Sequence, residues 1–330
     1  MHNLVLIGFG NVNRGLVALL EQKRAELFEL GIQFQITGVY SRRLGYIVNP
    51  SGLDIHALLD NQITPDPSIQ SVPEFIKAAR ATVLFEASSL EPQTGQPAID
   101  YIKAALEQNA HAITANKGPI VHAAAQLEAL AAQHGKKFRY EATFMGGIPI
   151  YSLLRQCLPV ARLTRFIGLP NSTSTVILEA WENGLSFAEG VKHAQDLGIA
   201  ETDPSMDVDG WDSAVKIIGL ANTVMNANLK LTDCQVTGIR SLSPEAVRQA
   251  KLDGKPYRLV ARLERQNGQV SASVAPEQVT GVFALVGGND MLARFEFDVL
   301  PALELISRDS GARETAYDML ADFVNLVAHT

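Results

Sequence analysis

The sequence is poor in cysteine and contains no long apolar run. Its 330 residues include two cysteines, Cys157 and Cys234, in no CxxC or metal-binding spacing. This usage is typical of a reducing compartment, and we expect both side chains to be small buried apolar residues. No apolar run reaches the length of about 20 residues that spans a bilayer, and the first residues carry no targeting signal. We therefore expect a cytoplasmic protein with no membrane partner.

Excess positive charge is also missing. Lys and Arg number 28 against 35 for Asp and Glu, which gives a net charge of −7 at pH 7, and no basic block occurs. This balance is unfavourable for binding nucleic acid or an anionic membrane. We expect a small-molecule substrate and no nucleic-acid partner. The length is sufficient for about two domains.

A strand, a glycine-rich turn and a helix open the chain. Residues 4–7 are apolar, Gly8 and Gly10 follow, and apolar residues then recur with helical spacing. Gly8 permits a tight turn, and Gly10 lets the backbone approach a pyrophosphate at the N-terminus of the helix. This context predicts a dinucleotide site. Asn13 stands where the third glycine of the fingerprint is usual, which weakens the match.

The second predicted strand, residues 35–40, is followed by arginines rather than by an acid. An Asp or Glu at this strand end binds the ribose 2′-hydroxyl of NAD, whereas arginine accommodates the 2′-phosphate of NADP. Arg42 and Arg43 therefore favour NADP over NAD. The alternative is that two arginines simply begin a solvated loop, and the sequence leaves both interpretations open.

Polar residues follow the next two predicted strands. Ser88 and Ser89 come after strand 81–86, at the carboxyl edge where a doubly wound sheet binds its ligand. Strand 110–114 leads to Lys117, which begins the next helix close to where a nicotinamide would point. A lysine at a helix start is as readily structural, so its role stays open.

Strands and helices alternate to about residue 140, which predicts a mostly parallel sheet with helices on both faces. Residues 138–143 continue this pattern as a strand, and Asn267-Gly268 indicates a later β-hairpin. The predicted fold class is α/β: an N-terminal Rossmann-type dinucleotide-binding domain, residues 1–140, plus an α+β catalytic and dimerisation domain, residues 141–309.

The second domain is predicted to contain an antiparallel sheet with helices on one face. The other face is available for a partner subunit, so we expect a homodimer. A C-terminal helix over about residues 310–330 is expected to pack back on the first domain.

An acidic stretch lies between two predicted helices of the second domain. Residues 198–216 contain five carboxylates and a lysine, Lys216. Gly198 is a helix stop, Asp209 is a candidate N-cap of the next helix, and Asp212 shares a helix face with Lys216. Two interpretations fit: a site that binds an ammonium group and moves a proton, or a capping box followed by a surface ion pair.

Several motifs, in their order and spacing, together resemble the homoserine dehydrogenase family over essentially the whole chain. They are Gly8-Phe-Gly10-Asn-Val, Thr114-Ala-Asn-Lys117-Gly-Pro, Glu141-Ala-Thr-Phe-Met-Gly-Gly-Ile-Pro-Ile150, Asn171-Ser-Thr-Ser-Thr, and Leu197-Gly-Ile-Ala-Glu201-Thr-Asp-Pro with Asp207, Asp212 and Lys216. The resemblance implies reversible hydride transfer between NAD(P)H and the C4 carbonyl of aspartate 4-semialdehyde. The product is homoserine, in the pathway to threonine and methionine.

The resemblance also implies roles for individual residues. Lys216 matches the lysine that exchanges a proton with the substrate oxygen, and Lys117 matches a second lysine near that oxygen and the nicotinamide. Lys216 is our first choice for the proton transfer, because its helix and Asp212 orient it. Glu201 matches the residue that binds the substrate ammonium. The remaining implied substrate-binding residues are Asp207, Asp212 and Thr173.

Cofactor and cation sites complete this set. The candidate cofactor-binding residues are Gly8, Gly10, Asn11, Val12, Arg42, Ser88, Ser89, Asn116 and Lys117. The cofactor is NADP or NAD, with NADP favoured. The resemblance implies a structural monovalent cation, usually Na⁺, at Glu141 and at the backbone carbonyls of Phe144, Gly146 and Ile148.

The sequence departs from the family pattern at several positions. Asn13 and Met145 replace glycines, and Ser172 and Thr175 replace a Gly and an Asn in the loop between substrate and nicotinamide. Glu314 is an acid near the expected phosphates. These departures motivate two alternatives: an oxidoreductase acting on another small amino or hydroxy acid, or a nucleotide-binding sensor without catalysis. We expect no attached kinase or regulatory domain, and thus no feedback inhibition by threonine through one.

Overall fold

The computed structural model describes residues 1–309 and 311–328. The chain divides into two compact units: Met1–Pro149 with Ala312–Thr330, and Ile150–Gly311. The second unit is thus inserted in the sequence of the first. Among the described residues, no helix is both long and apolar enough to cross a bilayer.

The first unit is built on a six-stranded sheet of order β3-β2-β1-β4-β5-β6. Its strands are β1 (His2–Ile7), β2 (Phe34–Ser41), β3 (Gly45–Val48), β4 (Val83–Glu86), β5 (His111–Thr114) and β6 (Phe138–Arg139). Its helices are α1 (Asn11–Gln22), α2 (Arg24–Glu29), α3 (Ile55–Leu59), α4 (Val72–Ala78), α5 (Ala98–Glu107), α6 (Lys117–His122) and α7 (Ala124–Gln133), together with a C-terminal helix (Ala312–Val327).

Consecutive apolar residues form the buried centre of this sheet. Leu4, Val5 and Leu6 of β1 are completely buried, as expected where helices cover both faces of parallel strands. All pairings are parallel except that of β2 with β3. The predicted mostly parallel sheet is confirmed, and the short antiparallel strand β3 was not predicted because four residues are too few to show a pattern.

The predicted strand over residues 138–143 is wrong beyond Arg139. Residues Glu141–Thr143 form a turn of 3₁₀ helix. The backbone N–H of Glu141 donates to Asp322 Oδ2 at 2.8 Å. Because a side chain of the C-terminal helix accepts this hydrogen bond, the N–H does not pair with a neighbouring strand.

The C-terminal helix completes the core of the first unit. Ala316, Met319 and Phe323 are completely buried, in the same apolar cluster as Leu16 of α1. A Cβ built on Gly15 would lie 3.3 Å from the Cβ of Ala316. A glycine on α1 and an alanine on the C-terminal helix therefore let these two helices approach closely.

The second unit contains a six-stranded sheet of order β12-β11-β7-β9-β10-β8. Its strands are β7 (Leu163–Leu169), β8 (Cys234–Val236), β9 (Tyr257–Gln266), β10 (Gln269–Gln278), β11 (Met291–Phe297) and β12 (Leu303–Ser307). Its helices are α8 (Ile150–Ser152), α9 (Ser172–Glu182), α10 (Phe187–Asp196), α11 (Ser205–Val208), α12 (Trp211–Val224), α13 (Pro244–Leu252) and α14 (Val282–Leu285), with a π turn at Leu153–Cys157 and 3₁₀ turns at Leu231–Asp233 and Ile239–Ser241. The pairing of β10 with β8 is parallel, and the other pairings are antiparallel.

One face of this sheet forms the core of the second unit. Phe166, Leu263, Ala272 and Phe295 lie side by side in register across four strands, and all four are buried. Helices α9 and α12 contact β9, and α12 also contacts β10. Alternate residues of a strand point to opposite faces, and Gly210, the N-cap of α12, lies against Val274, on the same face of β10 as Ala272. Helix α12 therefore covers the face that carries this row. The predicted α+β arrangement is confirmed.

The opposite face is divided between an apolar end and a charged end. At the charged end, Arg294 pairs with Glu296 at 3.1 Å and with Glu304 at 2.8 Å. At the apolar end, a second buried cluster consists of Leu169, Val260, Val279, Val286 and Leu292. Part of the face that we expected to be open is therefore covered by the chain itself.

The β9–β10 hairpin follows directly from its turn residues. Asn267 and Gly268 have φ angles of +51° and +82°, and Gln266 pairs with Gln269. Positive φ at both central residues is the condition for the two-residue turn whose twist matches that of antiparallel strands. The hairpin prediction is confirmed.

The two cysteines differ in exposure. Cys234 is buried as predicted, whereas Cys157 is exposed, so that expectation was wrong for Cys157. It ends the π turn Leu153–Cys157, which contributes no residue to the core within the described chain.

Stability should depend on pH through His111. Its Nδ1 accepts the backbone N–H of Lys137 at 3.0 Å, and burial, followed by the neighbouring charges of Lys136 and Lys137, lowers the His111 pKa to about 4. Between pH 6.5 and 4 the unfolded chain binds this proton more readily than the folded protein. The free energy of unfolding should therefore fall as the pH falls through this window.

We expect His111→Gln to remove this part of the pH dependence. One pKa unit corresponds to about 1.4 kcal/mol, and solvent screening at a half-exposed ring reduces the effect to about 1–2 kcal/mol. Chemical unfolding measured at pH 7 and pH 4.5 would check this, with the exposed His193→Gln as control. Equal losses in wild type and His111→Gln would contradict the assignment.

Candidate functional site

A cleft of about 660 Å³ lies in the first unit, at the carboxyl ends of β1, β2 and β4. Six of the predicted cofactor-binding residues line it: Gly8, Gly10, Asn11, Arg42, Ser88 and Ser89. Further lining residues are Ile7, Phe9, Arg14, Tyr40, Ser41, Arg43, Ala87, Leu90, Glu91, Gln96, Pro97 and Tyr101. The carboxyl edge of the sheet, where the sequence predicts the nucleotide site, is thus a concave surface of a size typical of ligand sites.

The two fingerprint glycines have different surroundings. Gly8 has φ +79°, and a Cβ there would lie 2.3 Å from the carbonyl oxygen of Ala87. Gly8 is therefore required for the close approach of β1 and the chain after β4. A Cβ on Gly10 would meet no heavy atom of the described residues within 4 Å, so the space above Gly10 is open to a ligand.

Helix α1 begins directly after Gly10. Within the described chain, no side chain caps its first turn. Uncapped N–H groups and the helix dipole favour an anion at this position. The open space and these donors together fit a pyrophosphate.

Asn13 braces the turn from inside, and this explains the missing third glycine. The side chain is completely buried, and its Nδ2 donates to the carbonyl oxygens of Ile7 at 3.1 Å and Gly8 at 2.6 Å. A glycine at this position could make neither contact. The departure at Asn13 is therefore compatible with the fingerprint turn.

Three arginines and one acid, Glu91, line the cleft, so positively charged side chains are in excess there. Arg42 and Arg43 form the exposed turn between β2 and β3, and Arg14 of α1 also lines the cleft. Arg14 donates to Asn61 Oδ1 at 3.1 Å and lies over the ring of Phe9. Positive charge near the strand end suits an anionic group on the nucleotide.

A buried glutamate, which the sequence did not single out, organises the loop after β4. Glu86 is completely buried, and its carboxylate accepts hydrogen bonds from the backbone N–H of Ser88 at 2.8 Å and from Thr114 Oγ1 at 2.6 Å. Burial raises the pKa of Glu86, and the hydrogen bonds from Ser88 and Thr114 oppose this shift. Its only signal in the sequence was an acid ending an apolar strand.

Asn116 connects the same loop to helix α6. Its Nδ2 donates to the carbonyl oxygens of Ser88 and Ser89 at 3.3 and 3.4 Å, while its Oδ1 caps α6 at Gly118 N. Lys117 follows as the half-buried first residue of α6. Val12 differs from the other candidates, because it packs against the apolar core.

In the second unit, Asn171 and a later group of three residues, Asp207, Asp212 and Lys216, form one polar cluster. Lys216 Nζ lies 2.9 Å from Asp212 Oδ2 and donates to the carbonyl oxygen of Pro170 at 2.5 Å. Asn171 Nδ2 donates to Asp207 Oδ1 at 2.5 Å and to Asp212 Oδ2 at 3.0 Å. The structure thus brings together Asp207, Asp212 and Lys216, and it adds Asn171, whose role the sequence did not reveal.

This geometry contradicts the surface-ion-pair interpretation. The side chains of Lys216 and Asp212 are 12% and 15% exposed, so their charges are largely shielded from water. The capping interpretation is also wrong: the N-cap of α12 is Gly210, at φ +87°. Asp209, the residue after the short helix α11, instead pairs with Arg240 at 2.7 Å.

The two other predicted substrate residues, Thr173 and Glu201, and the two departures Ser172 and Thr175 lie in different surroundings. Thr173 is buried, and its Oγ1 donates to the carbonyl oxygen of Ile199 at 3.4 Å. Thr175 is also buried and donates to the carbonyl oxygen of Asn171, whereas Ser172 is half-buried. Glu201 lies on the exposed loop after α10. Its carboxylate is not part of the hydrogen-bonded cluster within the described residues.

The loop proposed to bind a cation is held by acids of the C-terminal helix. Glu141, Asp318 and Asp322 are all buried, and Asp318 Oδ2 accepts the backbone N–H of Gly147 at 3.0 Å. Burial, and the nearby charges of Glu141, Asp322 and Glu314, raise the pKa of Asp318 to about 8. In residues 1–309 and 311–328, no three His, Cys, Asp or Glu side chains form a metal-binding group.

The fold and these sites define a nicotinamide-dependent dehydrogenase with a nucleotide-binding unit and a separate catalytic unit. Two family models match the chain: "Homoserine dehydrogenase, NAD binding domain" over residues 8–141 and "Homoserine dehydrogenase" over residues 149–324. The chain belongs to the homoserine dehydrogenase family. This membership does not favour the alternatives of another oxidoreductase or a non-catalytic sensor.

Similar proteins cover almost the whole chain. An NAD(+)-dependent homoserine dehydrogenase of Pseudomonas canavaninivorans is 34% identical over 98% of this chain and 96% of its own. A homoserine dehydrogenase of Methanocaldococcus jannaschii is 30% identical over 99% of both. A crystal structure from Archaeoglobus fulgidus, assigned to the same family, has a TM-score of 0.88 at 30% identity and covers 98% of this chain and 99% of that one.

Substitutions of the two glycines of the turn should have different effects, one on stability and the other on nucleotide affinity. Gly8→Ala places a Cβ against Ala87 at positive φ, so we expect destabilisation by about 2 kcal/mol or more. Gly10→Ala should change stability by less than about 0.5 kcal/mol but weaken NAD(P)⁺ binding at least tenfold, because its Cβ enters the open space. Chemical denaturation and calorimetric titration measure the two effects. Unchanged affinity in Gly10→Ala would contradict the assigned nucleotide position.

Proposed function

We propose that the protein catalyses the NAD(P)-dependent, reversible oxidation of L-homoserine to L-aspartate 4-semialdehyde in threonine and methionine biosynthesis. The observation that carries this proposal is the shielded cluster of Asp207, Asp212 and Lys216. Two carboxylates and one ammonium leave one negative charge in excess. An ammonium group on the substrate would balance this charge, and Glu201 on the adjacent loop would add to the attraction.

Lys216 is the residue that we propose to move the proton. Oxidation of a hydroxyl group releases a proton from oxygen as a hydride leaves carbon, and a nicotinamide nucleotide held by the cleft at Gly8 and Gly10 would supply the hydride acceptor. Within the described residues, Asp212 and the carbonyl oxygen of Pro170 engage two N–H groups of Lys216, which leaves one position on Nζ to meet the substrate oxygen. For oxidation, the neutral amine accepts the hydroxyl proton through its lone pair; for the reverse reduction, the ammonium form donates a proton to the carbonyl oxygen. Lys117 is the second candidate for this role, on the strength of the family motif.

We propose that NADP is preferred over NAD. Arg42 and Arg43 line the cleft at the end of β2, where an acid would otherwise hold the ribose of NAD. Both guanidinium groups can donate to a 2′-phosphate. The similar Pseudomonas protein is named as NAD(+)-dependent, so under this proposal the two proteins differ in cofactor.

Three further features are proposed. A monovalent cation such as Na⁺ at Glu141 and the carbonyls of Phe144, Gly146 and Ile148 would relieve repulsion among the buried acids that raise the Asp318 pKa.

A homodimer would use the charged end of the second sheet, where Arg294 and Glu304 present both signs of charge. A cytoplasmic location remains our prediction.

Lys216→Ala should lower kcat for homoserine oxidation by about 10²-fold or more, because general acid–base catalysis contributes on this scale. Production of reduced cofactor at 340 nm measures the rate. The control is Lys192→Ala, which removes the exposed i,i+4 partner of Asp196 in the same unit and should leave kcat unchanged. A near-wild-type rate in Lys216→Ala would reject the proton-transfer role. No turnover of homoserine by the wild type with either cofactor would reject the substrate.

Arg42→Ala combined with Arg43→Ala should raise KM for NADP⁺ at least tenfold, because both guanidinium groups that would contact the 2′-phosphate are removed. A tenfold change corresponds to a loss of about 1.4 kcal/mol in binding free energy. KM for NAD⁺ should change less than about twofold, because NAD⁺ has no 2′-phosphate. Steady-state kinetics with both cofactors tests this, with the exposed Lys77→Ala of α4 as control. Equal effects on both cofactors, or a wild-type preference for NAD⁺, would reject the proposed selectivity.

A further inference from the structure

Asn171 lies at the centre of the polar cluster in the second unit, and every polar atom of its side-chain amide is used. The Nδ2 group has two hydrogens and donates to Asp207 Oδ1 at 2.5 Å and to Asp212 Oδ2 at 3.0 Å. The Oδ1 atom accepts the backbone N–H of Ser174 at 2.9 Å. The residue is 5% exposed, so water contributes little to its hydrogen bonding.

The orientation of this amide is determined by its surroundings. Asn171 is the N-cap of α9, and only an oxygen can accept the Ser174 N–H. A flipped amide would direct its NH₂ group at that donor and its oxygen at two carboxylates. Both contacts would be unfavourable. Capping the helix therefore forces the NH₂ group towards Asp207 and Asp212.

The amide joins two acids that would otherwise repel each other. Asp207 belongs to α11 and Asp212 to α12, so one side chain connects three helices. A bridging donor lowers the cost of holding two carboxylates close together, and charge-assisted hydrogen bonds are stronger than neutral ones. Asn171 thereby keeps the acids close while leaving their net charge unchanged.

The same segment also positions the lysine. Lys216 donates to the carbonyl oxygen of Pro170, the residue before Asn171, and contacts Asp212. The connection from Pro170 to Asn171, Asp212, Lys216 and back to Pro170 is therefore a closed ring of covalent and hydrogen bonds. Movement of Asn171 would shift both anchors of the lysine.

We propose that Asn171 is a positioning residue: it sets the placement of the Asp207–Asp212 pair and, through Asp212 and Pro170, that of Lys216. This inference rests on the function proposed for the cluster. The residue acts through its NH₂ group, and its helix cap uses a different atom. A substitution that removes the donor and keeps the acceptor can thus separate the two roles.

Asn171→Asp is that substitution. The aspartate has nearly the same shape and still caps α9, because its carboxylate accepts the Ser174 N–H. It cannot bridge Asp207 and Asp212, and it adds a third carboxylate to the cluster. We expect KM for homoserine to rise at least tenfold and kcat to fall at least tenfold, with KM for the nucleotide within twofold of the wild-type value.

The matched control is Asn183→Asp at the other end of the same helix. Asn183 is exposed and donates to the carbonyl oxygen of Glu179 at 2.9 Å, so the same chemical change there should leave both kinetic constants within twofold. Thermal unfolding of Asn183→Asp should remain near that of the wild type, whereas Asn171→Asp should unfold at a lower temperature because a third carboxylate joins the cluster. If Asn171→Asp unfolds early, Asn171→Ser, which keeps a capping oxygen and adds no charge, takes its place in the kinetic comparison.

A second measurement does not depend on turnover. Crystal structures of the wild type and of Asn171→Asp should show the Asp207 and Asp212 carboxylates farther apart in the variant, with Lys216 Nζ displaced from the Pro170 carbonyl. Unchanged positions together with unchanged kinetics would overturn the proposal and leave Asn171 as a helix cap. Failure of the wild type to oxidise homoserine would reject the proposed function, while the two structures would still decide whether Asn171 positions the cluster.

Discussion

The carboxylate of Asp212 accepts hydrogen bonds from Lys216 and Asn171 in a place largely shielded from water. An ionised pair in such a place is stable only when its remaining hydrogen-bonding capacity is met, and the Pro170 carbonyl supplies part of it here. Asn171, the N-cap of α9, links this pair to Asp207 of α11, so the cluster connects α9, α11 and α12. The proposed chemistry and the local architecture of the second unit therefore involve the same few bonds.

In the nucleotide-binding unit the main constraint is different: the backbone must come close to a ligand. Gly8 allows β1 to approach the chain after β4, and Asn13 holds that turn through two carbonyl oxygens. Glu86 and Asn116 hold the loop after β4 through hydrogen bonds to the backbone of Ser88. Buried polar side chains thus hold the backbone at the edge of the cleft, and under the proposed function the exposed arginines at the end of β2 would select the cofactor.

Much of this could be predicted because the signals are local. The Asn267-Gly268 turn and the apolar runs of β1 and β4 report on their own conformation, and the family motifs located the Asp207, Asp212 and Lys216 group. The roles of Glu86, Asn13 and Asn171 could not be predicted from periodicity. Each depends on partners in other elements: Asn171 contacts residues 36 and 41 positions away. Strands β8 and β12 are likewise short, and their neighbours in the sheet define them.

The position of the C-terminal helix has a consequence for biosynthesis. Ala316, Met319 and Phe323 belong to the core of the unit that begins the chain, yet the whole second unit is translated between the two parts of that core. Domains generally fold as units while the chain is made. Here the second unit can reach its folded state first, and the nucleotide-binding unit must keep an apolar groove along α1 uncovered until residues 312–327 have emerged. The unit encoded first is therefore the one completed last.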